Sequence, residues 1–227
     1  HRVTLFDAAE RIGGQFNIAK QIPGKEDFNE TLRYFGRRIQ TSGVDLQLNR
    51  RVDVEALKAG GYDHVVLATG IVPRLPPIPG IESDKVVSYL DVIEGRKAAG
   101  RTVAIIGAGG IGFDVGEFLT HAHDGKTEAE RFNDEWGIDP EYRNRGGLKA
   151  PVDETAPRRV FLLQRKSSKV GDGLAKTTGW IRRTLLKKRG VKMLAGVDYE
   201  RIDEAGLHIT INGEPKTLPV DTIVVCA

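Results

Sequence analysis

Residues Val103 to Gly112 read VAIIGAGGIG, an apolar run that enters a glycine-rich turn, and no other stretch narrows so far what this chain can fold into. Apolar residues in succession, without polar alternation, suit a parallel strand buried on both faces. The GFDVGEFLTH that follows has helical spacing, so strand, turn and helix form the first half of a βαβ unit. Gly107, Gly109 and Gly112, with Gly110 between them, stand at G-x-G-x-x-G spacing. In that pattern the first glycine permits the tight turn, the second lets backbone approach a pyrophosphate, and the third lets helix pack close on strand. The helix start adds free N–H groups and a positive dipole end. Alone the pattern is weak, because 27 of the 227 residues are glycine, and the plain alternative is an ordinary strand–turn–helix. Its placement between an apolar run and a helix selects the dinucleotide reading.

The end of the next strand decides which dinucleotide is expected. RVFLLQRKSSK has no acid where an NAD enzyme keeps one for the ribose hydroxyl; Gln164 is followed by Arg165 and Lys166, with Lys169 close by. Such cations suit the 2′-phosphate of NADPH, Arg through a bidentate fork and Lys as a point charge. The alternative is a solvated basic loop. The usual spacing of about 20 residues from turn to strand end is stretched to over 50 by a polar excursion from His121 to Arg158.

Earlier in the chain, VTLFDAAERIGGQF is a buried strand ending at Asp7, then a turn with Gly14 and Gln15. Phe28, Leu32, Phe35 and Ile39 give residues 25–41 a helical apolar stripe closed by Gly43. VDLQLNRRV alternates as a strand should, and YDHVVLATG is expected to be a buried strand closing on Ala68, Thr69 and Gly70, where backbone can pass close to a flavin's phosphates. IVPRLPPIPG holds four prolines, too many for helix or central strand, and reads as a rigid crossing between two units. After residue 158 the order is strand, basic-faced helix (LAKTTGWIRRTLLKKRG), short strand, a meander with a hairpin turn at NGE, and the buried strand VDTIVVCA.

Composition excludes several classes. Lys and Arg number 34 against 31 Asp and Glu, a net charge of +3 that gives no electrostatic case for nucleic acid or an anionic membrane. No apolar run approaches the about 20 residues of a membrane span, and no signal peptide is visible, so a cytoplasmic location is expected. One cysteine, Cys226, fits a reducing compartment and reads as inert core. His121 and His123 read as solvent-facing, with no metal expected. Trp180 reads as the core face of its helix. The chain starts and stops on strands and is read as an interior piece of a longer protein.

Taken together, VTLFDAAERIGGQFNIAKQIPGK, LATGIVPR, SYLDV, VAIIGAGGIGFD, EWGID, LLQRK and GLAKTTGWIRR resemble the flavin- and pyridine-nucleotide-binding region of bacterial NADPH-dependent 2,4-dienoyl-CoA reductases, relatives of trimethylamine dehydrogenase and the old yellow enzymes. The resemblance spans nearly the whole chain; LLQRK and GLAKTTGW are particular to that branch, and GAGGIG and ATG are shared by two-dinucleotide flavoproteins. It implies an α/β fold of two Rossmann-like domains, three-layered with a β-meander. The first, residues 1–85, would be an FAD domain lacking its opening strand and glycine turn; the second, residues 86–227, an NADPH domain inserted in it. Asp7, Gly14, Gln15, Arg33, Ala68, Thr69 and Gly70 would contact FAD; Gly107, Gly109, Gly110, Gly112, Arg165 and Lys166 would contact NADPH. An FMN-holding barrel and a 4Fe-4S cluster would precede this region in the same polypeptide. The resemblance implies that electrons pass from NADPH through FAD to a 2,4-dienoyl-CoA in unsaturated fatty acid β-oxidation. No catalytic acid, base or nucleophile is expected in this region, and without the first glycine turn FAD is not expected to be held tightly. Two rivals stand beside this reading: a related amine dehydrogenase or enoate reductase in which the region is structural, and a regulatory module that senses NADPH.

Overall fold

The computed structural model describes residues 1–122, 124–153 and 155–226. The chain divides into two compact units, His1–Val72 and Pro73–Ala227, so the proline-rich stretch belongs with the second.

In the first unit, β1 (Thr4–Phe6) pairs in parallel with β2 (Asp45–Gln47), Leu5 opposite Leu46. Parallel neighbours need a crossover, supplied here by α1 (Phe16–Ala19) and α2 (Phe28–Thr41). The apolar stripe of α2 exists, but no residue of the helix is buried and Phe35 is 54% exposed. Asp53 caps α3 (Val54–Ala59), its carboxylate accepting from the Ala56 N–H at 2.9 Å. The strand expected at YDHVVLATG is absent: residues 63–70 have no regular structure, and Val66 and Leu67 are 88% and 78% exposed. A strand persists only with a neighbour to complete its hydrogen-bond ladder, and β1 and β2 pair only with each other.

The second unit is three-layered. β3 (Val86–Ser88), β4 (Thr102–Ile106), β5 (Arg159–Leu163), β6 (Lys192–Leu194) and β10 (Thr222–Val225) form a parallel sheet in the order β3-β10-β4-β5-β6. On one face, α5 (Gly110–Thr120) and α7 (Gly179–Lys188) follow β4 and β5 as crossovers. On the other lies the antiparallel meander β7 (Val197–Asp203), β8 (Gly206–Ile211), β9 (Glu214–Leu218). The alternation of strand side chains builds both interfaces at once. Ala104, Ile106, Phe161, Leu163 and Ile223 join Val197, Leu207, Ile209 and Leu218 in the meander core, whereas Ile105 and Leu162 point at the helices, near Gly116 and Gly112. Asn212 and Gly213, both at positive φ, form the two-residue hairpin between β8 and β9.

Within the long excursion the chain builds α6 (Glu128–Trp136), opened by a capping box of Thr127 and Glu130 and closed by Gly137 at φ +67°. Its Glu135 forms a buried double hydrogen bond to Arg189, both at 3.1 Å. His121 is buried, not solvent-facing as expected, with Nε2 3.2 Å from Glu128; the end of α5 carries it under α6. His123 lies outside the described residues. No helix is long and apolar enough to cross a membrane, and the described residues hold no cluster of potential metal ligands.

Candidate functional site

The turn from β4 to α5 is built as its glycines require. Gly107 sits at φ +110°, where a side chain would be strained, and donates its N–H to the Leu163 carbonyl at 3.0 Å. A methyl group on Gly112 would collide with the Gly107 carbonyl oxygen, so the third glycine holds helix against strand. Gly109 and Gly110 differ: a side chain at either would meet nothing, although Gly109 is the N-cap of α5 and has no side chain to satisfy the helix's first N–H groups. Their smallness serves no packing need. They leave open the approach to a ready anion site.

Gly107, Ala108 and Gly109 line a pocket of about 690 Å³ together with Gln164, Arg165 and Lys166, so the structure brings the two motifs together across the polar excursion. Gln164 explains the missing acid. Its amide nitrogen donates to the carbonyls of Lys166 at 3.0 Å and Ser168 at 2.6 Å, cinching the loop after β5. A carboxylate there has no proton to donate and would face those oxygens. The loop is also tied to the start of the meander, through Gly196 N–H to Lys166 O and Val197 N–H to Gln164 O. Arg165 and Lys166 are exposed and their side chains make no hydrogen bond or ion pair among the described residues.

The remaining wall was not visible in the sequence. Arg74, Pro76, Pro77 and Ile78 line the pocket from the proline-rich stretch, and Asp198 and Tyr199 from β7. Ile78 is buried in the meander core and anchors that stretch; the prolines read as a crossing are a rigid wall. Burial pushes the Tyr199 phenol well above its usual range, against the opposing charge of Arg165, and keeps its hydroxyl protonated. The unpaired cations Arg74, Arg165 and Lys166 outnumber the lining carboxylates Asp172 and Asp198. Lys169 does not join them: it lines a separate groove with Trp180, which is 54% exposed and not a core residue. Leu186, buried on another stripe of α7, takes the core position instead.

Residues 1–227 match the pyridine nucleotide-disulphide oxidoreductases. The chain belongs to this family. It is an FAD/NAD(P)-binding oxidoreductase region of Rossmann type. A metal reductase of Desulforamulus reducens is 29% identical over 99% of the chain, which covers 33% of that protein. A bilirubin reductase of Mediterraneibacter gnavus is 34% identical over 52% of the chain, covering 19% of its length. Among solved structures, a 2-naphthoyl-CoA reductase in complex with 2-naphthoyl-CoA superposes with a TM-score of 0.75 at 25% identity, over 99% of this chain and 29% of that one. Histamine dehydrogenase from Rhizobium sp. 4-9 shares the fold at a TM-score of 0.70 and 17% identity, over 100% of this chain and 32% of its own. The chain therefore spans about a third or less of these larger relatives.

The residues expected at FAD lie in the first unit. Asp7 follows β1; one carboxylate oxygen accepts from the Ala9 N–H at 2.9 Å, and the other has no partner among the described residues. Gly14 is at φ +46° with open space beside it, and Gln15 is the N-cap of α1. Arg33 points along its own helix, its Nε 2.6 Å from Glu30, and both are exposed. Ala68, Thr69 and Gly70 lie in the exposed irregular segment. Cys226 follows β10, its N–H donating to Ile106 O at 2.8 Å; burial raises its thiol pKa, so the sulfur is a neutral, unreactive thiol.

Proposed function

We propose that this chain is the electron-entry region of an NADPH-dependent flavoprotein oxidoreductase, and the pocket that joins Gly107–Gly109 to Arg165 and Lys166 carries the reading. When bound, NADPH supplies a hydride and FAD accepts it. The chain's own residues hold and discriminate. The N-terminus of α5 faces the pyrophosphate, the open space at Gly109 admits it, and Arg165 and Lys166 pair with the 2′-phosphate. Asp172 and Asp198 accept hydrogen bonds from ribose hydroxyls. Asp7 plays the same part for the adenosine ribose of FAD. Gly107, Gly110 and Gly112 keep the turn in place; Gly14, Gln15, Arg33 and the Ala68–Gly70 turn complete the flavin side.

The further assignment is that the whole protein reduces a 2,4-dienoyl-CoA, with an FMN barrel and a 4Fe-4S cluster in its N-terminal part. LLQRK and GLAKTTGW support it, as does the likeness to a reductase complexed with an aromatic acyl-CoA.

Calorimetric titration of the chain with NADPH and NADH tests the nucleotide assignment. NADPH should bind at least about tenfold more tightly, and an Arg165→Ala/Lys166→Ala variant should lose that difference, since each charge-assisted pair contributes roughly 1–3 kcal/mol. Equal affinities in the unaltered chain would overturn it.

A further inference from the structure

α7 carries its cations on two stripes with opposite fates. On the first, every cation is engaged by the fold: Arg182 pairs with Asp114 of α5, Lys188 donates to the Glu135 carbonyl of α6, and Arg189, just past the helix, pairs with the Glu135 carboxylate. On the second, Trp180, Arg183, Thr184 and Lys187 stand at i, i+3, i+4 and i+7 and line one wall of a groove of about 670 Å³. Met193 of the edge strand β6, with Val191 and Ala195 just before and after it, forms its apolar floor. Lys169 closes the end.

No carboxylate lines this groove among the described residues. The ammonium groups of Lys169 and Lys187 and the indole nitrogen of Trp180 have no partner among the described residues, and Arg183 donates only to the Gly171 carbonyl at 3.0 Å. Three like charges thus converge with no carboxylate partner among the described residues, beside a large aromatic face left half in water. These cations and the indole share a concavity of small-molecule size. A planar ring laid on the indole, over the Val191–Met193 floor, with an anionic group reaching the cations, satisfies every feature.

We propose that the groove between α7 and β6 is a second binding site, separate from the glycine-turn pocket, for a mononucleotide phosphate: the base stacks on Trp180 and the phosphate pairs with Arg183, Lys187 and Lys169. Among the described residues the groove is lined by no glycine turn that could cradle a pyrophosphate, which favours a mononucleotide over a dinucleotide. The residues that line the two cavities do not overlap.

The test is titration of the 227-residue chain with 5′-AMP, followed by calorimetry and by quenching of indole fluorescence in a Trp136→Phe background, which leaves Trp180 as the reporter. The expected result is saturable quenching, weakened by salt and unchanged by saturating NADPH or by Arg165→Ala/Lys166→Ala. Trp180→Leu and Lys187→Glu should each weaken binding about tenfold or more, with unchanged urea midpoints showing intact folds, and adenosine should bind about tenfold more weakly than 5′-AMP. Four results would overturn the proposal. One is no saturable binding of 5′-AMP; another is adenosine binding as well as the phosphate. Displacement of 5′-AMP by NADPH would make the groove the adenosine end of the first pocket. Capture of an acidic peptide by a chain that ignores 5′-AMP would make it a protein-docking surface.

Discussion

At the scale of single residues, the glycines of one turn do different jobs, and substitution separates them. Gly112→Ala drives a methyl group into the Gly107 carbonyl, and backbone cannot step aside as a flexible side chain would. The expected loss is about 1–3 kcal/mol of stability, read as a lower urea midpoint, with nucleotide binding lost as well. Gly109→Ala places its methyl in open space at an ordinary φ of −81°, so stability should stay within about 0.5 kcal/mol while NADPH affinity falls about tenfold or more. Asp139 shows a single carboxylate organising a loop: it accepts from the N–H groups of Glu141 and Asn144 and from the Asn144 amide. Those bonds, the Asn144 N–H first, lower its pKa in the folded chain. A lowered folded pKa stabilises the fold above the unfolded value of about 3.9 and is lost as pH falls through the folded one. The urea midpoint should therefore drop between about pH 6 and about pH 3 by more in the natural chain than in Asp139→Asn.

At the scale of elements, α6 turns the excursion from a loop into a structural brace. Its capping box was legible in the sequence as Thr127-x-x-Glu130 ahead of a helical run, a signal that polar composition obscures. Thr127→Ala should cost about 1 kcal/mol, measured by chemical denaturation. The Glu135–Arg189 pair sits at 6% and 5% side-chain exposure. Breaking it with Arg189→Met strands a buried carboxylate and should cost about 3–5 kcal/mol, whereas the double change Glu135→Leu/Arg189→Met should recover most of that loss. The reverse lesson comes from residues 63–70, whose apolar run predicts a strand: β propensity is no structure without a paired neighbour. The Trp180 expectation failed for a related reason, since the buried stripe of α7 is set by α5, and helical periodicity alone cannot say which stripe meets a partner.

At the scale of the whole molecule, burial is divided unequally. Among the described residues, Ile22 is the only apolar residue of the first unit in the buried core, and the rest belong to residues 78–225. In hydrogen exchange, amides of β4, β5 and β10 should be the slowest, opening only with global unfolding, while those of residues 1–72 exchange through lower-energy local opening. Equal protection in both units would contradict that picture.

The sequence by itself determined the local grammar of the second unit: the apolar strand, the glycine turn, the helix after it, the cations after β5 and the Asn212–Gly213 hairpin. Each is dictated by residues within a few positions of one another, through backbone sterics, hydrogen-bond capacity or alternation. Only the tertiary structure decided what closes the pocket. Arg74 with its prolines, and Asp198 with Tyr199, come from segments far apart in the chain, brought together because Ile78 and Val197 bury into the same core beneath Ile106. It also decided which cations of α7 are neutralised, because the acids that face them lie on α5 and α6, and no spacing within α7 records where those helices pack.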